Sequence, residues 1–285
     1  MKKLYLLIIC YFLFFCFSSQ AQVKHGVHKN LAKYFEKEEW EDLAFKAERM
    51  LIKQQHTNDP EIYLYLGYSY NEIFLLCLEK PELLNKYPEY LTSYKNALNY
   101  SQQAKKKDKK KKLLFPDNDK LLQEIAITGY YYIDDFVTAK KKYPKANSQM
   151  NKILKTYSDN NLIFMKGVLC EMSNDLVNSK AIFDTVFDKL STSNKEKTAF
   201  YTIEAFDYYI HFLIDKEEPE IEKAKTFINK GIEIYPDNEM LIYLSEYIEN
   251  PQTQTSKPEN KLKKEILKQL KLNITDNDED DDERD

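Results

Sequence analysis

The side chains that could do chemistry are few and scattered. The four histidines are His25, His28, His56 and His211, and no His-Glu-x-x-His sets two imidazoles on one helix face for zinc. No Cys-x-x-Cys pair is present. There is also no Gly-x-Ser-x-Gly elbow to present a nucleophile, and no glycine-rich phosphate loop. Five glycines in 285 residues cannot supply the positive-φ turns that such loops and tight hairpins need, which excludes Rossmann, P-loop and all-β proteins of ordinary type. Acidic pairs lie in generic helical contexts or in Asp276–Asp285, which lacks the glycine and spacing of a calcium loop. The sequence therefore argues for no catalytic residue, no cofactor and no metal ligand. One copper motif is weighed: a chain starting Val23-Lys24-His25 could hold Cu(II) in a square plane through its amine, two amides and His25. Cleavage after Ala21 fits better and abolishes it.

That cleavage follows from the N-terminus. Lys2 and Lys3 precede an unbroken apolar run from Leu4 to Phe17, and Ser19 and Ala21 are the small residues a signal peptidase reads. Residues 1–21 are expected to be a signal peptide, the run being shorter than the roughly 20 residues of a membrane span. The Ser19–Gln22 junction resembles signal peptides of the Bacteroidota. The expected location is the periplasm or the cell surface, with no transmembrane segment after cleavage. Cys10 and Cys16 would leave with the leader. Both follow bulky residues, which argues against lipidation. Cys77 and Cys170 would remain, as buried thiols or as one bridge.

Charge is unevenly placed. Eight acids and Arg284 fill residues 276–285, so the acidity of the mature chain resides in that tail and the body is near neutral. Seven lysines crowd Lys105–Lys112, a block expected to be solvated, to attract the tail or to meet an anionic surface. It has no interleaved aromatics, so nucleic acid is not an expected partner.

The elements that position these residues follow from the glycines. Gly67, Gly129, Gly167 and the equivalent Ala205 are separated by 62, 38 and 38 residues, each inside an apolar helical pattern. Tyr63, Ile125, Ile163 and Tyr201 stand four positions before, and Tyr70, Tyr132, Cys170 and Tyr208 three after, so each triplet shares one helix face. Glycine inside a helix costs roughly 1 kcal/mol against alanine. Its recurrence at one phase predicts a neighbouring helix too close for a Cβ. A second helix follows each, with small or apolar residues at 0, +4 and +7: Tyr90/Tyr94/Ala97, Ala146/Met150/Ile153, Ser179/Phe183/Val186 and Ala224/Ile228/Gly231. Leu43/Ala47/Met50 is a further instance. The prolines fall between the periodic segments.

Tyr63, Leu66, Gly67 and Tyr70 on a first helix, with Ala224, Ile228, Gly231 and Pro236 on a second, resemble the tetratricopeptide repeat, a 34-residue helix–turn–helix unit. The resemblance covers about residues 28–249. It implies an all-α, right-handed solenoid of about five degenerate repeats over residues 22–249, with Met240–Ile248 as a capping helix. Insertions stretch most units beyond the family spacing. Only Asn160–Leu190 keeps it throughout. Residues 250–273 read as a linker and a short basic amphipathic helix from Lys261 to Leu272, which either docks on the solenoid end or meets a membrane surface. Residues 274–285 read as a disordered acidic tail.

In the family, the helix-A stripe beside the packing face lines a concave groove. Here that stripe includes Leu64, Tyr68 and Asn71; Tyr130 and Ile133; Phe164, Val168 and Glu171; Phe206 and Tyr209. The resemblance thus implies a non-catalytic scaffold or adaptor binding a protein or peptide segment with apolar anchors. The same stripe could instead be core. The alternative function is a small-ligand or glycan site on the same surface.

Overall fold

The computed structural model describes residues 23–110, 112–193, 195–250, 257–266 and 268. The expected signal peptide, residues 251–256 of the expected linker and the expected acidic tail lie outside them. Thirteen α-helices and no strand occur among the described residues. They are α1 (Lys29–Glu36), α2 (Trp40–Leu51), α3 (Pro60–Glu79), α4 (Leu83–Lys86), α5 (Ser93–Asp108), α6 (Asp119–Thr128), α7 (Tyr130–Asp134), α8 (Tyr143–Thr156), α9 (Asn160–Met172), α10 (Leu176–Ser193), α11 (Ala199–Ile214), α12 (Ile221–Ile234) and α13 (Glu239–Glu249). Residues 261–266 are also helical.

Local chemistry sets the boundaries. Pro60 opens α3, where its missing N–H costs nothing, and Asp59 caps it by accepting from Glu61 N at 3.0 Å. Asp159 caps α9 through Leu162 N, and Asn238 caps α13 through Met240 N and Leu241 N. Asn174, at φ 63°, turns the chain between α9 and α10, the left-handed position that asparagine tolerates after a helix.

Neighbours in sequence pack together and onto the next helix but one: α3 on α2 and α5, α9 on α8, α10 and α11, and α11 on α12 and α13. Glycines mark the contacts as the spacing predicts. A Cβ at Gly67 would meet Ser101 and Ala97 of α5, with Ser101 N at 3.1 Å. One at Gly167 would meet Ile182 and Phe183 of α10, and one at Gly231 would meet the Phe206 ring of α11. The 0, +4, +7 positions Ala97, Ala146, Met150, Ile153, Ala224 and Ile228 are all buried.

One unit departs from expectation. Gly129 does not lie within a helix. It ends α6, crowded by Tyr94 of α5 and Ile153 of α8, and its N–H closes a tighter turn onto Ala126 O. After α7 the chain makes a π turn at Asp135–Ala139, so this stretch is two short helices rather than one long one. Cys77 and Cys170 are both buried and free.

The lysine block is built into the fold rather than wholly solvated. Lys105, Lys106 and Lys107 lie in the last turn of α5, where cations suit the helix dipole. Lys105 Nζ donates to Thr156 O at 2.9 Å, and Lys107 Nζ lies over the Tyr63 ring. Asp108, within the block, is buried and accepts from the backbone N–H groups of Leu113, Leu114 and Phe115.

Candidate functional site

The expected groove is not open. Leu64, Asn71, Ile133, Phe164, Val168 and Phe206 are fully buried, and Tyr68, Tyr130 and Tyr209 are no more than 7% exposed. The reason is that neighbouring segments cover the stripe. Phe35 and Trp40 of α1 and α2 sit against the Tyr68 ring at 5.1 and 5.7 Å. The Phe227 ring of α12 lies 5.8 Å from Phe164, 5.0 Å from Phe206 and 4.6 Å from Tyr209, and Phe183 and Phe187 of α10 close the same cluster. Six rings in mutual contact are a core, each edge-to-face or tilted pair worth about 0.5–1.5 kcal/mol beyond its buried area. Glu171 alone reaches the surface. Lys223 pairs with it at 2.6 Å and, against the raising effect of burial, holds its carboxyl below the usual range.

Tyr130 leads to a different surface. Its hydroxyl donates to Glu204 Oε2 at 2.6 Å, and the Tyr208 hydroxyl donates to Asp134 Oδ1 at 2.7 Å. The two tyrosine oxygens are 3.1 Å apart. Burial and the adjacent carboxylates push both phenols well above their usual range, so they act as donors and not as bases. Next along α11 come Asp207 and His211, whose Nε2 is 3.4 Å from Asp207 Oδ1. Burial alone would raise the Asp207 carboxyl, but His211 and Lys257 hold it below the ordinary aspartate range.

The C-terminal segment lies on this surface. Lys257 Nζ meets Asp207 Oδ2 at 2.6 Å. Asn260 Nδ2 donates to Glu204 Oε1 at 2.9 Å, and its side chain caps the helix of residues 261–266 through Lys263 N. Lys263 Nζ reaches Glu204 Oε2 at 3.0 Å and the Tyr130 hydroxyl at 2.8 Å, and lies over the Tyr130 ring. Leu262 packs on the core and Ile266 is buried, so the segment docks through both its polar and its apolar sides. Docking is thus the outcome for 257–266. Beside the segment opens a cleft of about 370 Å³, lined by Asp207, His211, Tyr208, Phe212, Tyr143 and Lys257 among others.

No family model matches the chain, and searches of curated proteins and of solved structures return no match.

Of the expected site residues, only Tyr130 touches this surface. Glu204, Asp207, Tyr208 and His211 are its other makers on α11, at positions i, i+3, i+4 and i+7. They are a polar stripe on a helix that is otherwise almost wholly apolar. That pattern is readable in the sequence, but Tyr208 had been assigned to the helix-packing face. Lys257, Asn260 and Lys263 lie some 50 residues further on, and only folding brings them there.

Proposed function

We propose that the protein is an exported, non-catalytic binding scaffold of the tetratricopeptide type, and that it takes a lysine-bearing partner segment along the face made by Tyr130, Glu204, Asp207 and Tyr208. The observation that carries this reading is the seating of residues 257–266, which shows the chemistry an occupant of that face would use. The occupant offers two ammonium groups and one amide to buried carboxylates, with an apolar side chain beneath. A partner of the same pattern would exchange with this segment, so the face is held by the chain itself when no partner is bound. The helix-turn-helix spacing of residues 160–190, with paired α9 and α10, supports the repeat reading, and the leader at 1–21 supports export.

The experiment is a capture with two chains, full length and ending at Ser256. The shorter chain is expected to bind a synthetic 257–268 peptide and to recover partners that this peptide competes away. Glu204→Gln with Asp207→Asn should abolish both. A folded, shortened chain that ignores the peptide overturns the reading.

The cleft favours a second reading. Its volume falls in the range of small-ligand sites, and Phe212, Tyr143 and Tyr208 supply ring surface beside the polar Asp207 and His211. A glycan or other small ligand binding there would raise the thermal midpoint of the full-length chain.

A further inference from the structure

Gly26 is the one glycine outside the repeat pattern, and it marks a second cluster at the opposite end of the chain. Its close neighbour is the carboxylate of Glu61: a Cβ on Gly26 would stand 2.8 Å from Glu61 Oε1. That buried carboxylate accepts from Val27 N at 2.7 Å and His28 N at 3.0 Å. Upstream, Asn118 takes both the N–H and the carbonyl of Lys24, and His25 meets Asp117 at 2.7 Å. Lys24 N is thereby committed, and the His25 ring is turned to another loop, so the N-terminal copper arrangement is not formed here.

This clamp holds His28 against the turn that leads into α3. His28 Nε2 is 2.7 Å from Asp59 Oδ2, while the other Asp59 oxygen caps α3. His56 ends the 3₁₀ turn Gln54–His56, and its ring stands edge-on to His28 with centroids 5.8 Å apart. The donor atoms of His28, His56 and Asp59 all lie within 4.8 Å of one another, and all three residues are half-buried. Two segments distant in sequence, around His28 and around His56–Asp59, therefore converge two imidazoles and one carboxylate, each backbone fixed by its own hydrogen bonds.

We propose that His28, His56 and Asp59 bind a zinc-class divalent ion that fastens the N-terminal segment to the start of α3. Two nitrogens and one oxygen are a borderline donor set, suited to Zn(II), Co(II) or Ni(II) and unsuited to Mg(II) or Ca(II). Donors around tetrahedral zinc stand about 3.4 Å apart, given bond lengths near 2.1 Å. The ion would part His28 from Asp59 slightly and draw in His56, whose Nε2 meets the amide of its exposed neighbour Gln55 at 3.0 Å. Water completes the shell on the open side. Both imidazoles bind such an ion through a ring nitrogen lone pair.

The test is calorimetric titration of tag-free full-length chain with zinc chloride at pH 7.5 in excess magnesium, which saturates the polyacidic 276–285 segment. One zinc per chain is expected at micromolar or tighter affinity. His56→Ala should weaken binding at least tenfold. Asp59→Asn should do the same while keeping the helix cap, because asparagine also caps. Both variants should keep the metal-free thermal midpoint, so lost binding cannot be lost folding. Cobalt should give a visible band of tetrahedral N/O type in the parent and not in His56→Ala. Unchanged zinc uptake in His56→Ala, or no zinc-specific uptake by the parent, overturns the site.

Discussion

At the residue scale, buried acids define how this molecule responds to pH. Glu72 is buried on α3, where Asn71 donates to its Oε1 at 2.9 Å and Glu124 stands nearby. Burial is the main cause that raises its carboxyl from 4.5 to about 8, with Glu124 and Glu38 adding to the effect and Asn71 opposing it. The unfolded chain sheds this proton near its ordinary value, so the folded state binds more protons between the two. Stability from this group is complete below about pH 4.5 and is lost as pH rises through about 8. Glu72→Gln keeps the acceptor for Asn71 and removes the titration. It should flatten the fall in unfolding free energy between pH 5 and 8, and stabilise by a few kcal/mol at pH 8. Denaturant titrations of both proteins across that range measure it, and parallel curves would contradict it. Nothing in the one-dimensional pattern around Tyr70-Asn71-Glu72 indicates this burial. Glu72 reads as one more acid on a helix, and its enclosure depends on segments distant in sequence, which also bring Glu38 and Glu124 near it.

At the element scale, most of the architecture was legible. The phase shared by Gly67 and Gly167, and the small-residue position of Gly231 on a second helix, report a steric fact, the approach of one helix to another, and sterics leave a mark at fixed positions. A helix is expected at Met240–Ile248, and one stands at Glu239–Glu249. What spacing could not settle was whether the next stripe over faces solvent or core. Tyr68, Phe164 and Phe206 have the same periodicity in either case, and the answer depends on distant segments. Phe35, Trp40 and Phe227 supply it by packing across them. The break at Gly129 was likewise hidden, because the same glycine that weakens a helix reads in sequence like Gly67 and Gly167, which stay helical. The close approach at Gly67 can be measured. Gly67→Ala gains roughly 1 kcal/mol in helix propensity. It also forces a methyl to 3.1 Å from Ser101 N and 3.3 Å from Ala97 O, backbone atoms that cannot swing aside. Overpacking of this kind costs about 1–3 kcal/mol. The variant should therefore melt at or below the parent's midpoint, whereas a rise of several degrees would mean that α3 and α5 part freely.

At the scale of the whole molecule, the C-terminal segment and the polar stripe of α11 hold one another in place. Glu204 and Asp207 are nearly buried carboxylates at the edge of an apolar core, and the cations that face them come from Lys257 and Lys263, with His211 beside Asp207. A charge so placed is tolerated because it is paired, and removing the partner is more costly than the pair is stabilising. Asp207 is held below its ordinary range, so its contribution is present above about pH 4 and is lost as pH falls. The segment should therefore loosen in acid before the rest of the chain unfolds. Lys257→Ala with Lys263→Ala should loosen it at neutral pH, since release lets water solvate both carboxylates. The global cost should then be only about 1–2 kcal/mol. Hydrogen exchange separates the two levels. Amides of residues 261–266 should lose protection in the double variant at pH 7, and in the parent only as the pH falls below about 4, while those of α9 and α11 keep theirs. Equal loss across α11 would show that the segment is an inseparable part of the core, and exchange at that face would then have no place in the protein's function.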